Sequence, residues 1–302
     1  MKVAIVGTYP AGTFEKFKNH FSEKPEIEVV EVDTQKKFDA LTEADAIVLR
    51  ILKMPKEVVA RIKGLKMIMR WGAGFDSVDI EEAGKHGIYV CNTPGANAYA
   101  VAELTVALML AVGRKLICHD RAIHQGEWSK NTFLNQTRTL NNKVVGIIGG
   151  GNIGRQVASR VQAFGSTVQY YDPFRLPEEM EEKLHMKYVG LEELIRTSDV
   201  ITLHVPLMAS TRHMIGEKEI EKMKDGAILI NVARGGLMDD GAVVNAVNAG
   251  KLSGAGIDCV EEEPAKLGSP ILENPNIIVT PHVGGGSADI SDVMFPMITE
   301  NI

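Results

Sequence analysis

A glycine-rich segment near the middle of the chain has the spacing of a phosphate-binding turn. Residues 144–148 read as a β-branched strand, and Gly149, Gly151 and Gly154 follow it in G-x-G-x-x-G spacing. The first glycine permits a tight turn, the second lets the backbone approach a pyrophosphate, and the third lets the next helix pack closely on the strand. Glycine-rich turns without a ligand are common, so the motif needs support from its surroundings.

The following segment gives that support. A second predicted strand, residues 167–171, ends at Asp172, where a dinucleotide-binding unit places the acid that accepts hydrogen bonds from the ribose hydroxyls. Because a carboxylate there repels a 2′-phosphate, we predict NAD rather than NADP, although Arg175 lies close enough to soften the preference. The N–H groups that begin the helix, including those of Asn152 and Ile153, would hold the phosphates.

Polar residues follow four later predicted strands, and ligands bind at the carboxyl ends of strands in an open parallel sheet. His204, Arg234, the run 261–263 and His282 are the residues concerned. An arginine offers a two-pronged contact to a carboxylate, a histidine can exchange a proton with an alkoxide, and a carboxylate beside the imidazole orients it. Together they predict hydride chemistry on a carbonyl next to a carboxylate.

Each of these residues also has a plain structural interpretation. Arg234 can be a surface ion-pair partner, but the glycines that follow it at a strand end favour a site. The three glutamates can form a solvated acidic turn, and the residues alone leave this open. His282 lies between a proline and three glycines, which suits ligand approach, whereas His204 is expected on the adenosine side.

The elements that must position these residues alternate in type. Strands are predicted at 3–6, 27–32, 46–49, 67–69 and 88–91, with helices such as 14–21 and 56–62 between them, which indicates a small parallel α/β domain. The turn 7–12 contains a proline, lacks the G-x-G spacing and is interpreted as structural. Further strands are predicted at 199–204, 227–231, 255–258 and 277–280, and the acidic run 178–182 is interpreted as a solvated helix face.

A long apolar helix is predicted over 99–117, packed between domains or against a second subunit. The polar stretch 119–142 follows, with Trp128 and Phe133 as expected anchors, and is either a dimer contact or a plain surface loop. Its most membrane-like part, 104–112, is about half the length needed to span a bilayer and is interpreted as buried.

Composition narrows the class of protein. A chain of 302 residues is long enough for two domains, and a formal charge of −6 argues against nucleic acid as a main partner. Its first apolar run is too short for a signal peptide. The three cysteines are scattered without a C-x-x-C pair, so neither a disulfide framework nor a metal site is expected, and a reducing cytoplasm is the simplest location.

Taken together, the motifs resemble those of the D-isomer-specific 2-hydroxyacid dehydrogenases over nearly the whole chain. They are Asn92-Thr93-Pro94-Gly95 with Val101-Ala102-Glu103, the glycine segment 146–154, His204-Val205-Pro206-Leu207 with Thr211, Asn231-Val232-Ala233-Arg234-Gly235, the segment 258–264, and Thr280-Pro281-His282. Two departures are minor: Gly150 stands where a larger apolar residue is usual, and Cys259-Val260 replaces the common Val-Phe.

The resemblance implies roles for individual residues. Arg234, Glu263 and His282 would form the catalytic set, and the backbone N–H groups of Ala73 and Gly74 would hold the substrate carboxylate, with Arg50 near its distal end and Arg234 as a second ligand. Cofactor contacts would come from Gly149, Gly151, Asn152, Ile153, Gly154, Asp172, His204, Val205, Pro206, Thr211, Val232, Ala233, Asp258, His282 and Gly284.

It also implies an architecture. We expect two Rossmann-like, doubly wound parallel-sheet α/β domains, one flavodoxin-like and one NAD-binding, with a cleft between them. The substrate domain would be discontinuous, residues 1–97 plus 286–302, and the NAD-binding domain would span 98–285. A homodimer would form on the long helix and the loop after it.

The expected function is NAD-dependent hydride transfer between NADH and a short 2-keto acid, with no nucleic acid or membrane partner. Glyoxylate, hydroxypyruvate, pyruvate and 3-phosphohydroxypyruvate are the candidate substrates, the last because Arg50 and Lys53 could serve a phosphate. Formate or phosphite dehydrogenase is an alternative, although the formate enzymes normally have glutamine where Glu263 stands. A second alternative is an NAD-sensing corepressor-like binding protein.

Overall fold

The computed structural model describes residues 1–302, and the chain divides into two compact units. One comprises residues 1–97 and 285–302, and the other residues 98–284. Gly285, which we placed with the second unit, belongs to the first. Each unit has a fully parallel sheet with helices along the chain between its strands, which is the α/β, two-domain Rossmann-like architecture expected.

The first unit has a five-stranded sheet in the order β2-β1-β3-β4-β5. The order reverses at β1, as in flavodoxin-like folds. Its central strands are runs of buried, mostly β-branched residues, as expected for strands covered on both faces. The strands are β1 (Lys2–Val6), β2 (Glu28–Val32), β3 (Ala46–Leu49), β4 (Met67–Arg70) and β5 (Tyr89–Cys91), and the helices are α1 (Thr13–His20), α2 (Gln35–Ala40), α3 (Lys56–Arg61), α4 (Ile80–Lys85) and the returning C-terminal helix α13 (Ile290–Thr299).

Two contacts organise this unit. Gly7 has φ 111°, and a Cβ there would lie 2.0 Å from the carbonyl oxygen of Arg50, so the turn after β1 serves close packing against the end of β3. From the other end of the sequence, the C-terminal helix α13 packs on α1. The centroids of the Phe295 and Phe17 rings lie 4.9 Å apart.

The second unit has a seven-stranded sheet in the order β12-β11-β10-β9-β6-β7-β8. The order reverses between β6 and β9, which makes the carboxyl edge there the expected dinucleotide site. The strands are β6 (Val144–Ile148), β7 (Thr167–Tyr171), β8 (Met186–Tyr188), β9 (Val200–Leu203), β10 (Ala227–Asn231), β11 (Leu252–Ile257) and β12 (Ile277–Val279), and the helices are α5 (Ala98–Gly113), α6 (Leu116–His124), α7 (Asn152–Ala163), α8 (Glu178–Leu184), α9 (Leu191–Thr197), α10 (Glu217–Lys222), α11 (Asp240–Asn248) and α12 (Pro270–Glu273).

The long apolar helix predicted over 99–117 is in fact two helices, α5 and α6. Lys115 separates them in the left-handed region, with φ 52°. Its ammonium group is drawn inward, where it donates to the Ser253 carbonyl at 2.6 Å and to Asn276 Oδ1 at 2.8 Å, and this geometry does not continue a helix. The first part, α5, is buried on most of its surface, as expected.

Several smaller features differ from the expectations based on the sequence. The stretch after residue 119 is helical to His124, and Trp128 anchors nothing within the chain because it is 82% exposed. The acidic helix α8 is not uniformly solvated, since Glu181 is buried. Strand β8 was not predicted. No helix has the length and apolar character needed to cross a membrane.

Candidate active site

The glycine turn after β6 lies against the end of β9. Gly149 has φ 108°, and a Cβ there would lie 2.5 Å from the carbonyl oxygen of His204. A Cβ on Gly154 would lie 2.1 Å from the Gly149 oxygen, so the helix α7 packs directly on the turn. A Cβ on Gly151, by contrast, would meet nothing within 4 Å. The turn therefore leaves open space beside the free N–H groups of α7, and this arrangement fits a pyrophosphate.

Asp172 closes the other side of this turn. Its Oδ2 accepts a hydrogen bond from the Gly150 N–H at 2.8 Å, and its Oδ1 accepts one from the Phe174 N–H at 2.9 Å. A carboxylate has about four acceptor positions, so it can still accept hydrogen bonds from ribose hydroxyls. A Cβ on Gly150 would lie 3.1 Å from the Tyr170 ring, which is a tight contact.

Arg175 forms an ion pair with the helix that follows it, α8. Its guanidinium forms a two-pronged ion pair with Glu181, with Nε–Oε1 and Nη2–Oε2 distances of 2.9 and 2.8 Å. Glu181 also accepts a hydrogen bond from the Tyr170 hydroxyl at 2.6 Å. The contacts with Arg175, and then with Tyr170, lower the pKa of Glu181 to about 2. We therefore expect Glu181 to compete with a 2′-phosphate for the Arg175 guanidinium.

The turn after β9 holds the next group of predicted cofactor ligands. Thr202 Oγ1 and His204 Nε2 are 2.9 Å apart, while His204 Nδ1 is buried without a partner. Burial lowers the pKa of His204 to about 3, so the ring is neutral. Thr211 Oγ1 donates to the Pro206 carbonyl at 2.7 Å and accepts from the Met208 N–H at 2.8 Å, which fixes the shape of this turn.

Arg234 follows β10 on a turn that the buried side chain of Asn231 holds in place. Asn231 Nδ2 donates to the Arg234 carbonyl at 2.8 Å, and Asn231 Oδ1 accepts from the Ala233 N–H at 3.1 Å. A Cβ on Gly235 would lie 1.9 Å from the Val260 carbonyl oxygen. The N-x-x-R-G spacing therefore has two local causes, an asparagine that fixes the turn and a glycine that lets it pack on the loop after β11.

His282 follows β12 on a loop anchored by Asp258. The buried carboxylate of Asp258 accepts from Thr280 Oγ1 at 2.6 Å and from the N–H groups of Val283 and Gly284, each at 2.8 Å. These contacts hold His282 in the left-handed region, with φ 54°. Asp258 was predicted as a cofactor ligand, and its observed contacts are with this loop.

The three consecutive glutamates do not share partners. Glu261 contacts His213 Nε2 at 2.9 Å and Arg212, and Glu262 pairs with Lys266 at 2.8 Å. Glu263 Oε2 lies 3.0 Å from His282 Nδ1. The run is therefore not a uniform acidic turn. Its third member forms a carboxylate–imidazole pair, and that pair leaves His282 Nε2 as the ring nitrogen available to a ligand.

In the first unit, the loop carrying Ala73 and Gly74 is fixed through its carbonyl groups. Asn92 Nδ2 donates to the Ala73 oxygen at 2.7 Å and Arg70 Nε donates to the Gly74 oxygen at 3.1 Å. Thr93 Oγ1 accepts from the Gly72 N–H at 3.0 Å. The N–H groups of Ala73 and Gly74 donate to no other group of the chain.

Asn92, Thr93 and Arg70 were not recognised as support for this loop from the sequence. The Asn92-Thr93-Pro94-Gly95 motif directly after β5 was the available signal. The Arg50 guanidinium, the predicted distal substrate ligand, is half-buried and donates to the Thr8 carbonyl.

Comparison with known proteins identifies the family of the chain. Residues 106–284 match the family model described as D-isomer specific 2-hydroxyacid dehydrogenase, NAD binding domain. A glyoxylate reductase of Thermococcus litoralis is 40% identical over 87% of this chain and 81% of its own length. A D-3-phosphoglycerate dehydrogenase of Archaeoglobus fulgidus is also 40% identical, over 85% of this chain, but the chain spans only about half (49%) of that enzyme.

The fold is matched over the full chain. The crystal structure of a glyoxylate reductase from Paecilomyes thermophila superposes with a TM-score of 0.86 and 32% identity, covering 100% of this chain and 94% of that one. A family model that covers more than half of the chain, together with these relatives, shows that the chain belongs to the D-isomer specific 2-hydroxyacid dehydrogenases, NAD-dependent oxidoreductases that act on the CH–OH group of 2-hydroxy acids.

Proposed function

We propose that the chain reduces glyoxylate, or a 2-keto acid of similar size such as hydroxypyruvate, with NADH. The observation that carries this is the placement of Arg234, Glu263 and His282 after β10, β11 and β12, three neighbouring strands of one parallel sheet. Glyoxylate reductases resemble the chain over most of their length, whereas the phosphoglycerate dehydrogenase named above is matched over half. Formate or phosphite oxidation and a corepressor-like binding role are not favoured by these relatives.

Each member of the proposed catalytic set has a distinct task. The Arg234 guanidinium would bind the substrate carboxylate and polarise the neighbouring carbonyl. His282 Nε2 would donate a proton to the carbonyl oxygen as it gains negative charge. Glu263, paired with Nδ1, would orient the ring and stabilise its protonated form.

The cofactor fits the carboxyl edge of β6 and β7. The N–H groups that begin α7 at Asn152 and Ile153 would hold the pyrophosphate beside Gly151, and Asp172 would bind the adenosine ribose. When bound, NADH supplies the hydride. We also propose the remaining predicted cofactor contacts, which come from the turns after β9, β10, β11 and β12.

Substrate recognition by the first unit is also a proposal. Hydrogen bonds fix the carbonyl groups of Ala73 and Gly74, and the N–H groups of these residues have no acceptor in the chain. Both observations support a role for these N–H groups in binding a carboxylate. Arg50 would contact the distal end of the substrate. Residues 1–97 with the C-terminal segment would accordingly form the substrate domain, and residues 98–284 the NAD-binding domain.

A cytoplasmic homodimer is the proposed form of the protein. Large apolar side chains are exposed after α5, among them Leu116, Trp128 and Leu134, and a second copy of the chain could cover them. The three cysteines are unpaired, which suits a reducing compartment. Size-exclusion chromatography with light scattering would give the mass in solution.

The decisive assay is NADH oxidation, with NADPH in parallel, against glyoxylate, hydroxypyruvate, pyruvate, an aromatic 2-keto acid and 3-phosphohydroxypyruvate. We expect the highest kcat/KM with NADH and glyoxylate or hydroxypyruvate. A clear preference for the phosphorylated acid would replace this proposal with a phosphoglycerate dehydrogenase. NADH binding without turnover on any member of the panel would contradict the proposed activity.

A further inference from the structure

The Cys259 thiol lies beside the Glu263–His282 pair, so three side chains that can bind a metal ion are close together. Cys259 Sγ, a Glu263 carboxylate oxygen and a His282 ring nitrogen all lie within 4.8 Å of one another. Cys259 and Glu263 follow β11, and His282 follows the adjacent strand β12. The carboxylate and imidazole side chains are 42% and 46% exposed, whereas Cys259 is fully buried. An ion arriving from solvent would therefore meet the carboxylate and imidazole first and the sulfur behind them.

The spacing suits a small divalent ion. Three atoms no more than 4.8 Å apart have a common centre at most about 2.8 Å (4.8 Å divided by √3) from each. Zinc binds sulfur at about 2.3 Å and nitrogen or carboxylate oxygen at about 2.0–2.2 Å. Each ligand would thus move by less than about one ångström. Cys259 Sγ donates to the Ala233 carbonyl at 3.5 Å, and this contact offers little resistance because a thiol is a weak donor.

We propose that Cys259, Glu263 and His282 form an inhibitory binding site for Zn²⁺. Thiolate, imidazole and carboxylate are the three side-chain ligands that zinc uses in proteins, and a fourth position would remain for water. This site has no local sequence signature, because its ligands are separated by 3 and 18 intervening residues and meet only at the sheet edge.

Zinc binding and inhibition of turnover have separate requirements. Zinc binds the thiolate form of cysteine, so binding releases the Cys259 thiol proton to solvent. Binding depends only on the three ligands. Inhibition rests on the proposed function, since the ion would occupy the carboxylate and the imidazole assigned to proton transfer.

Zinc titration of NADH-dependent turnover tests the inhibition. The wild-type protein should lose activity at a stoichiometry of one Zn²⁺ per chain and regain it with EDTA, and Mg²⁺ should have no effect. Cys259→Val, which introduces the residue common in the family, should keep its activity without zinc and raise the half-inhibitory zinc concentration by about 100-fold, since even outer-shell changes cost roughly 10–100-fold. Cys91→Val, in the other unit, is the matched control and should behave as wild type.

Cobalt binding tests the site without turnover. Co²⁺ added to the wild-type protein should produce a thiolate-to-metal charge-transfer absorption that Zn²⁺ abolishes, and this band should be absent in Cys259→Val. Equal zinc sensitivity in wild type and Cys259→Val, or no thiolate band in the wild type, would overturn the site. A thiolate band without loss of turnover would leave the metal site standing and overturn the inhibition, together with the proposed roles of Glu263 and His282.

Discussion

The conformation of His282 is imposed by its loop, which allows a clean test of its proposed role. The residue has φ 54°, a region that asparagine tolerates better than alanine. His282→Asn therefore removes the imidazole with little backbone strain. We expect kcat to fall by roughly 10²–10⁴-fold, the range of general acid–base catalysis, while the Kd of NADH changes little.

His185→Asn provides the matched control for this variant. His185 also has a positive φ, 49°, but it is exposed at the end of α8 and contacts no proposed ligand. Steady-state turnover and NADH fluorescence titration of both variants separate the two effects. A His282→Asn enzyme that keeps more than half of its kcat would remove the histidine from the proposed mechanism.

His204 couples stability to pH. Its folded-state pKa is about 3, because of burial, whereas an unfolded histidine has a pKa of about 6.5. Below pH 6.5 the unfolded chain therefore binds a proton that the folded protein does not. The free energy of unfolding should fall by about 1.4 kcal/mol per pH unit from pH 6.5 towards pH 3 on account of this residue.

Urea unfolding at several pH values, with wild type and His204→Gln compared, measures this contribution. Glutamine can place an amide near the position of Nε2 and so keep a hydrogen bond with Thr202, but it does not titrate. As the pH falls, the free energy of unfolding of His204→Gln should therefore increase relative to that of the wild type. A difference that stays constant between pH 7 and pH 4 would contradict the buried, neutral imidazole.

At the scale of elements, we expect α8 to influence cofactor choice through one residue. Glu181 holds Arg175 by two hydrogen bonds. Glu181→Gln should release the guanidinium to contact a 2′-phosphate, which raises the ratio of NADPH to NADH kcat/KM by about 10-fold, the equivalent of one charge-assisted hydrogen bond. Glu179→Gln, on the exposed part of the same helix, should leave the ratio unchanged. An unaltered ratio in both variants would show that this ion pair has no part in cofactor choice.

The strands and the site loops were predictable to different degrees. The β-branched runs and the glycine turn identify both parallel sheets, because buried strands and phosphate-binding turns leave local patterns. Long-range packing leaves none: nothing near Lys115 in sequence indicates that Ser253 and Asn276 will draw its side chain inward and end α5. Similarly, the choice of Glu263 over Glu261 and Glu262 came from family resemblance, since their separate partners lie between 4 and 49 residues away.

At the scale of the whole molecule, the first unit depends on a segment that is distant in sequence. The helix α13 returns after the entire second unit and packs its Phe295 ring on Phe17, a fully buried residue of α1. The second unit has its own two apolar cores, built on both sides of the seven-stranded sheet. We therefore expect the first unit to lose stability without the second.

Phe295→Ala should thus destabilise the first unit selectively. Removing a phenylalanine ring from apolar packing costs about 3–5 kcal/mol when it is fully buried, and we expect about 2–4 kcal/mol here because Phe295 is partly exposed. Hydrogen exchange should accelerate at the amides of β1 to β5 and remain unchanged at those of β6 to β12, with the Kd of NADH preserved. Val293→Ala, on the exposed side of the same helix, should change neither. Equal acceleration in both sheets would show that the two units unfold as one, and the C-terminal helix would then support the whole molecule rather than the first unit alone.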